Sequence, residues 1–272
     1  MQKIANPDPI AGLLRAGQFA EARALLKPLV ARALTQVKPR VIPEKERKYL
    51  IEICVNGLRC GLADDVRRLI ETVIAKNPQW VEGKVVQAIA REKTGSLHEA
   101  LTDFKDIADL RPNDPSHWIN LGNVQFKLAR YQDAVHAFSR AIVLQAAHAE
   151  AFANRGAAFR ALRKFEEALA DYNEAIRLRP NFAEAHNNRA NLLIEIGDFD
   201  GALAASDQAL IYSSERIEIW LSRAAIFRGL KQHGQARDCL LRHMPLTENF
   251  LFFSACSFSR RPKFVIGKAL RI

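Results

Sequence analysis

The stretch that decides the fold is PSHWINLGNVQFKLARYQDAVHAFSRAIVLQAAH, residues 115–148. Trp118, Leu121 and Gly122 stand at positions four, seven and eight of this stretch, and Ala134 and Phe138 at positions twenty and twenty-four. Positions four, seven, eight and eleven form one apolar stripe on a helix of 3.6 residues per turn. A small residue at eight and another at twenty let two helices approach closely, and an aromatic ring at twenty-four fills the space beside them. The stretch therefore predicts a helix hairpin.

The pattern recurs on both sides with a period of 34 residues. Ala100, Ala134, Ala168, Ala202 and Ala236 keep this spacing, as do Phe104, Phe138 and Tyr172, and Leu97, Tyr131, Phe165 and Phe199. Pro78, Pro112 and Pro180 close their repeats at position thirty-two, where proline cannot continue a helix. Six repeats follow: 47–80, 81–114, 115–148, 149–182, 183–216 and 217–250. A divergent seventh fits within residues 1–36, with Gly17, Phe19, Ala22 and Leu26 in register. Residues 37–46, with Pro39 and Pro43, read as a linker. Residues 251–272 do not continue the period and read as a basic cap or tail. One hairpin of this size cannot bury enough apolar surface alone. Stacked hairpins share a continuous core, with stability arising at neighbouring interfaces.

The pattern W-x-x-L-G followed by A-x-x-x-F resembles the tetratricopeptide repeat. This resemblance covers about nine-tenths of the chain. It implies an all-α, right-handed solenoid of about seven helix-turn-helix repeats, with a concave inner surface lined by the first helix of each repeat.

Several function classes are disfavoured by the residues themselves. The chain has 272 residues, 49% of them hydrophobic, which is not a disordered composition. The first ten residues hold no signal-peptide core, and no run approaches the length of a membrane helix. Cys54, Cys60, Cys239 and Cys256 form no CxxC pair, so reduced thiols in a cytoplasmic protein are expected. The net charge of +10 is concentrated at the ends: residues 251–272 carry five Lys/Arg and no acid. A nucleic-acid-binding array would carry its cations along the repeats, so nucleic acid is a disfavoured partner. There is no phosphate loop, nucleophile elbow or metalloprotease helix motif. The seven histidines lack zinc spacing, and His186 at position four reads as a packed ring. No cofactor, metal or catalytic residue is expected.

What remains is a set of polar residues on the first helices. Asn120, Asn154 and Asn188 occupy position six, and Asn123 and Asn191 position nine, opposite the core stripe. Asparagine is a costly choice in a helix, but its amide can pair with both the N–H and the C=O of an extended backbone. The array resembles that of O-linked N-acetylglucosamine transferases, in which groove asparagines hold extended polypeptide. By that resemblance these five residues are the candidate peptide contacts. The alternative is a solvated face inherited by duplication. Arg155, Arg189 and Arg223 form a second ladder at position seven, expected to pack between helices and to bond loop carbonyls or acids such as Asp171 or Asp207. Co-chaperone members of the family clamp a terminal carboxylate with cations at positions two and five. Here position two holds Ser116, Glu150, Glu184 and Glu218, and position five holds Ile119, Ala153 and Asn187. Those glutamates would repel a carboxylate, so such a clamp is not expected. The expected function is a non-enzymatic scaffold for other proteins or peptides. Two alternatives are the targeting array of a protein glycosyltransferase or sulfotransferase without its catalytic part, and an RNA-associated helical-repeat protein.

Overall fold

The structure, a computed structural model, describes residues 8–36 and 42–242. The described residues form helices α1 (Asp8–Arg15), α2 (Phe19–Gln36), α3 (Glu44–Arg59), α4 (Ala63–Ile74), α5 (Val81–Lys93), α6 (Leu97–Leu110) and α7 (Pro115–Lys127). They continue as α8 (Tyr131–Leu144), α9 (Ala149–Ala161), α10 (Phe165–Leu178), α11 (Ala183–Ile196), α12 (Phe199–Tyr212), α13 (Ile217–Gly229) and α14 (His233–Leu241). Among these residues there is no strand. The fold is an all-α solenoid of helix hairpins. It divides into two compact units between Lys164 and Phe165. The first holds α1–α9 and the second α10–α14.

Each first helix ends in the same way. Position fifteen of all seven repeats has a left-handed backbone: Gly17, Gly61, Gly95 and Gly197, and also Ala129, Arg163 and Lys231, with φ of 58°, 59° and 61°. The N–H of position sixteen bonds the carbonyl of position eleven, as in Arg130 to Gln125 at 2.9 Å and Gln232 to Phe227 at 2.8 Å. The N–H of position fifteen bonds position twelve, as in Ala129 to Phe126 at 2.9 Å. This is a Schellman cap, which satisfies the last carbonyls and reverses the chain in three residues.

The hairpins close on small residues. Ala100, Ala134, Ala168 and Ala202 are fully buried. A Cβ placed on Gly122 would lie 2.6 Å from Cε1 of Phe138, so the ring of α8 rests directly on the backbone of α7. Second helices then pack on the next first helix: α4 on α5, α6 on α7 and α8 on α9 in the first unit, α10 on α11 and α12 on α13 in the second.

Ring nitrogens at position four lock the preceding loop. Trp118 Nε1 donates to the Pro112 carbonyl and Trp220 Nε1 to the Ser214 carbonyl, both at 2.8 Å. His186 Nε2 makes the equivalent bond to Pro180 at 2.9 Å. His186 is thus a buried ring in the role of a tryptophan, its face against Tyr212 with ring centroids 5.8 Å apart.

One boundary differs from expectation. α3 starts at Glu44, inside the stretch read as a linker. Pro43, with φ −59° and ψ 150°, precedes it, and Glu44 and Glu46 lie in its first turn, where negative charge favours a helix N-terminus. Residues 37–41 and 243–272, with the cap or tail read at 251–272, lie outside the described residues.

Candidate functional site

In the first unit, α7 and α9 pack directly on one another. This brings position nine of one repeat beside position six of the next. Asn154 Nδ2 donates to Asn123 Oδ1 at 3.0 Å. The bond leaves an amide donor on Asn123 and a carbonyl acceptor on Asn154. Asn120 lies one turn from Asn123 and makes no side-chain hydrogen bond among the described residues. All three are half-buried. Exposed Ser116 and Glu150 extend this face towards the helix N-termini, and Lys127, bonded to Glu92 at 2.7 Å, closes it at the other end.

In the second unit the corresponding face belongs to α11 and α13. Asn188 and Asn191 are half-buried on α11 and make no side-chain hydrogen bond among the described residues. On α13 the place of position six is taken by Ser222, whose hydroxyl is turned back to the Glu218 carbonyl at 3.0 Å. The two glutamates at position two, Glu184 and Glu218, flank Arg216, which lies 3.9 Å from the first and 3.8 Å from the second. A free row of carboxylates at the mouth of the face is thereby partly neutralised. Nothing in the sequence pattern marked Arg216, because its partners lie in two different repeats.

Position five is a packing position. Ile119, Ala153 and Asn187 are all buried. Asn187, which began as part of the same polar run, is separated from its neighbour Asn188 by this geometry. Its Oδ1 has no hydrogen-bond partner among the described residues.

Two of the arginines at position seven, Arg155 and Arg223, reach back sixteen residues to position twenty-five of the preceding repeat, whereas the buried Nε of the third, Arg189, has no hydrogen-bond partner among the described residues. Arg155 bonds Ser139 Oγ at 3.1 Å with its guanidinium 5.4 Å above the Phe152 ring and 5.7 Å above Phe159. Arg223 bonds Asp207 at 2.5 Å and lies 5.2 Å above Phe227. They are struts between helices: the stem packs, the head satisfies a neighbour. A further strut was not legible in the sequence. Arg91 on α5 makes a two-pronged contact with Asp103 at 2.8 and 3.0 Å and also meets Glu71 and Glu99 at 3.4 and 3.3 Å, tying α4, α5 and α6. Burial pushes the Asp103 carboxyl up against the pull of that guanidinium.

Groups with chemical potential elsewhere are packed. Cys54, Cys60 and Cys239 are buried free thiols, and burial pushes Cys54 up to about 12, far from a reactive thiolate. Among the described residues no group of three His, Cys, Asp or Glu is placed to hold a metal ion, and no helix is long and apolar enough to cross a membrane.

With this geometry in view, comparison with known proteins gives a consistent picture. Residues 85–151 match the family described as tetratricopeptide repeat, and residues 158–197 match a second description, TPR repeat. No curated protein matches the sequence. Among solved structures the chain is similar to TTC0263, a thermophilic TPR protein of Thermus thermophilus, at 21% identity over 67% of this chain and 98% of that one, with a TM-score of 0.58. It is similar to PilF of Pseudomonas aeruginosa at 16% identity, covering 78% and 98% of the two chains, with a TM-score of 0.63. A tetratricopeptide repeat protein of Parabacteroides merdae is similar over 91% and 96%, at 13% identity and a TM-score of 0.66. At these identities the likeness speaks to the fold.

Proposed function

We propose, from the premise that this chain is a tetratricopeptide-repeat protein, that it is a protein-interaction scaffold holding extended polypeptide against its first helices. The observation that carries this reading is the polar face built by Asn120, Asn123 and Asn154. In it a side-chain bond joins two repeats and still leaves one donor and one acceptor side by side. A peptide unit presents the complementary acceptor and donor with the same separation of roles, whatever its side chains. Asn188 and Asn191 offer the same chemistry in the second unit. At position two, Ser116, Glu150, Glu184 and Glu218 offer no cation to clamp a terminal carboxylate, so the ligand is read as an internal segment of a chain. On this reading the protein binds and assembles, and is not itself an enzyme.

The test uses the full chain as bait, identifies captured proteins by mass spectrometry, and titrates a captured partner against variants. Changing Asn120, Asn123 and Asn154 together to Ala removes up to three neutral hydrogen bonds, each worth roughly 0.5–1.5 kcal/mol. Affinity is expected to fall by about ten- to two-thousand-fold. The loss should be similar for partners of different sequence and should vary little with salt. Helicity by circular dichroism should be unchanged, since Ala is the better helix former. Wild-type affinity in a folded triple variant would reduce these residues to a solvated face.

A further inference from the structure

Arg47 on α3 is anchored from two directions and open in a third. Its Nε donates to the Ile42 carbonyl at 3.0 Å, and its guanidinium lies 5.8 Å over the ring of Trp80, a buried side chain. Nε carries one of the five donors of a guanidinium. The terminal nitrogens make no hydrogen bond or ion pair among the described residues. Elsewhere in the molecule such forks are spent inside the fold, as with Arg91 on Asp103 and Arg223 on Asp207. Here the carbonyl and the ring fix the direction of the fork without using it up.

The fork borders a cavity of about 690 Å³ in the first unit, lined by Glu44, Arg47, Lys48, Ile51, Trp80 and Glu82. Part of its wall is an extra turn of helix. α3 begins at Glu44, ahead of its repeat, whereas α5, which packs on α3, begins at Val81, the first residue of its own. The charges around the cavity do not cancel. Glu82 is bonded to Arg111 at 2.9 Å, and the exposed Lys48 has no ion pair among the described residues. Arg47 and Lys48 are therefore opposed by Glu44 alone. Half-buried Ile51 and Trp80 add apolar surface beside the cations.

We propose that this cavity is a specificity subsite, which takes an acidic side chain of the bound segment with a large apolar residue next to it. The proposal rests on the polypeptide-holding function above and adds side-chain recognition to it. The cavity stands at the starts of first helices α3 and α5, as the asparagine face stands on first helices α7 and α9 of the same unit. Charge selects the occupant. A carboxylate accepts two parallel N–H bonds from a guanidinium, which suits a fork already fixed in direction, and Lys48 supplies a second cation. The apolar neighbour of that acid covers Ile51 and Trp80. A neutral or basic side chain would leave both cations unanswered.

The probe is a library of random short segments, displayed between fixed flanks so that no free carboxyl terminus is offered, and selected on the full chain. Selected segments are expected to share one Asp or Glu beside a large apolar residue. Replacing that acid by its amide in a selected peptide should weaken binding by about ten-fold or more, as for hydrogen bonds to a charged group. Arg47→Gln should weaken it as much, and the two changes together should cost no more than either alone. Lys48→Gln, at an exposed side chain, should cost about two- to five-fold. It keeps the test open if circular dichroism shows that Arg47→Gln loosens the start of α3. Each loss should shrink as salt rises. Segments selected without a shared acid would overturn the subsite and leave backbone capture by the asparagines standing. So would an acid whose replacement costs the same in wild type, Arg47→Gln and Lys48→Gln. Failure to select any segment would overturn the polypeptide-holding function and the subsite with it.

Discussion

The hairpins α7–α8 and α13–α14 follow the same 34-residue pattern, reverse through the same left-handed residue at position fifteen, and both carry a position-four tryptophan bonded to the loop before it. Yet Phe138 is closed off while Leu240 at the same position is 42% exposed, and Ile119 is buried where Leu221 is open. The difference lies in what comes next: α8 is followed by α9, and α14 by no described helix. In a stack of repeats, burial belongs to the interface and not to the repeat. The same residue type at the same position therefore carries a different energetic weight at an end than in the interior.

The largest test of this comparison is truncation at position twenty-four. Phe138→Ala is expected to cost about 3–5 kcal/mol, the usual loss for a closed aromatic. Leu240→Ala, at a position 42% exposed, should cost less, below about 2 kcal/mol. Equal costs for Phe138→Ala and Leu240→Ala, read from denaturant midpoints, would remove the distinction between end and interior.

The turns supply a control that should not distinguish the two hairpins. A non-glycine residue in the left-handed region is strained by about 1–2 kcal/mol, and glycine returns part of this through its larger unfolded entropy. Ala129→Gly and Lys231→Gly are each expected to stabilise by up to about 1 kcal/mol, raising the melting temperature by a few degrees. A gain at one turn and a loss at the other would show that the caps are not equivalent, against their matching φ values and hydrogen bonds.

The smallest effect is at the helix starts. Asp114 caps α7 by accepting from the Ser116 N–H at 3.0 Å and the Ser116 hydroxyl at 2.5 Å, whereas α13 starts after Arg216 with no side-chain cap bond. The Ser116 hydroxyl holds the Asp114 carboxyl below the usual range. A lowered folded value means that this cap stabilises fully above the unfolded value, near about pH 4, and loses that contribution as pH falls through the folded value. Wild type should therefore exceed Asp114→Asn in stability at about pH 6 and lose part of that margin by about pH 2.5. A margin that widened on acidification would contradict the assigned sign.

Much of the hairpin core was legible because it depends on short-range spacing. Ala134 and Phe138 are four residues apart on one helix face, and Gly122 meets Phe138 within a single repeat, so a period of 34 reveals them together. The Schellman turns were only partly legible. Four glycines mark position fifteen, but Ala129, Arg163 and Lys231 adopt the same conformation without any signal in their side chains. The asparagine face was legible as a set of positions: the five residues could be placed opposite the core stripe from helical angle alone. Their pairing was not. That the Asn154 side chain bonds Asn123 in a neighbouring repeat is decided by how α9 seats on α7. Arg91 was illegible for the same reason, since the residues it joins come from two other helices, α4 and α6.

By itself, the sequence determined the repeat, its length, the two-helix content of each copy, and which side of each first helix is polar. These follow from periodicity and residue volume, properties that a chain carries without knowing its neighbours. Only the tertiary structure decided which polar groups are already spent on one another, which arginines are struts, and which apolar positions stay open at the end of α13–α14. Those outcomes depend on distances between residues sixteen, thirty or more apart in sequence, set by how one helix seats on the next, and a hydrogen bond or a buried methyl group exists only once that seating is fixed.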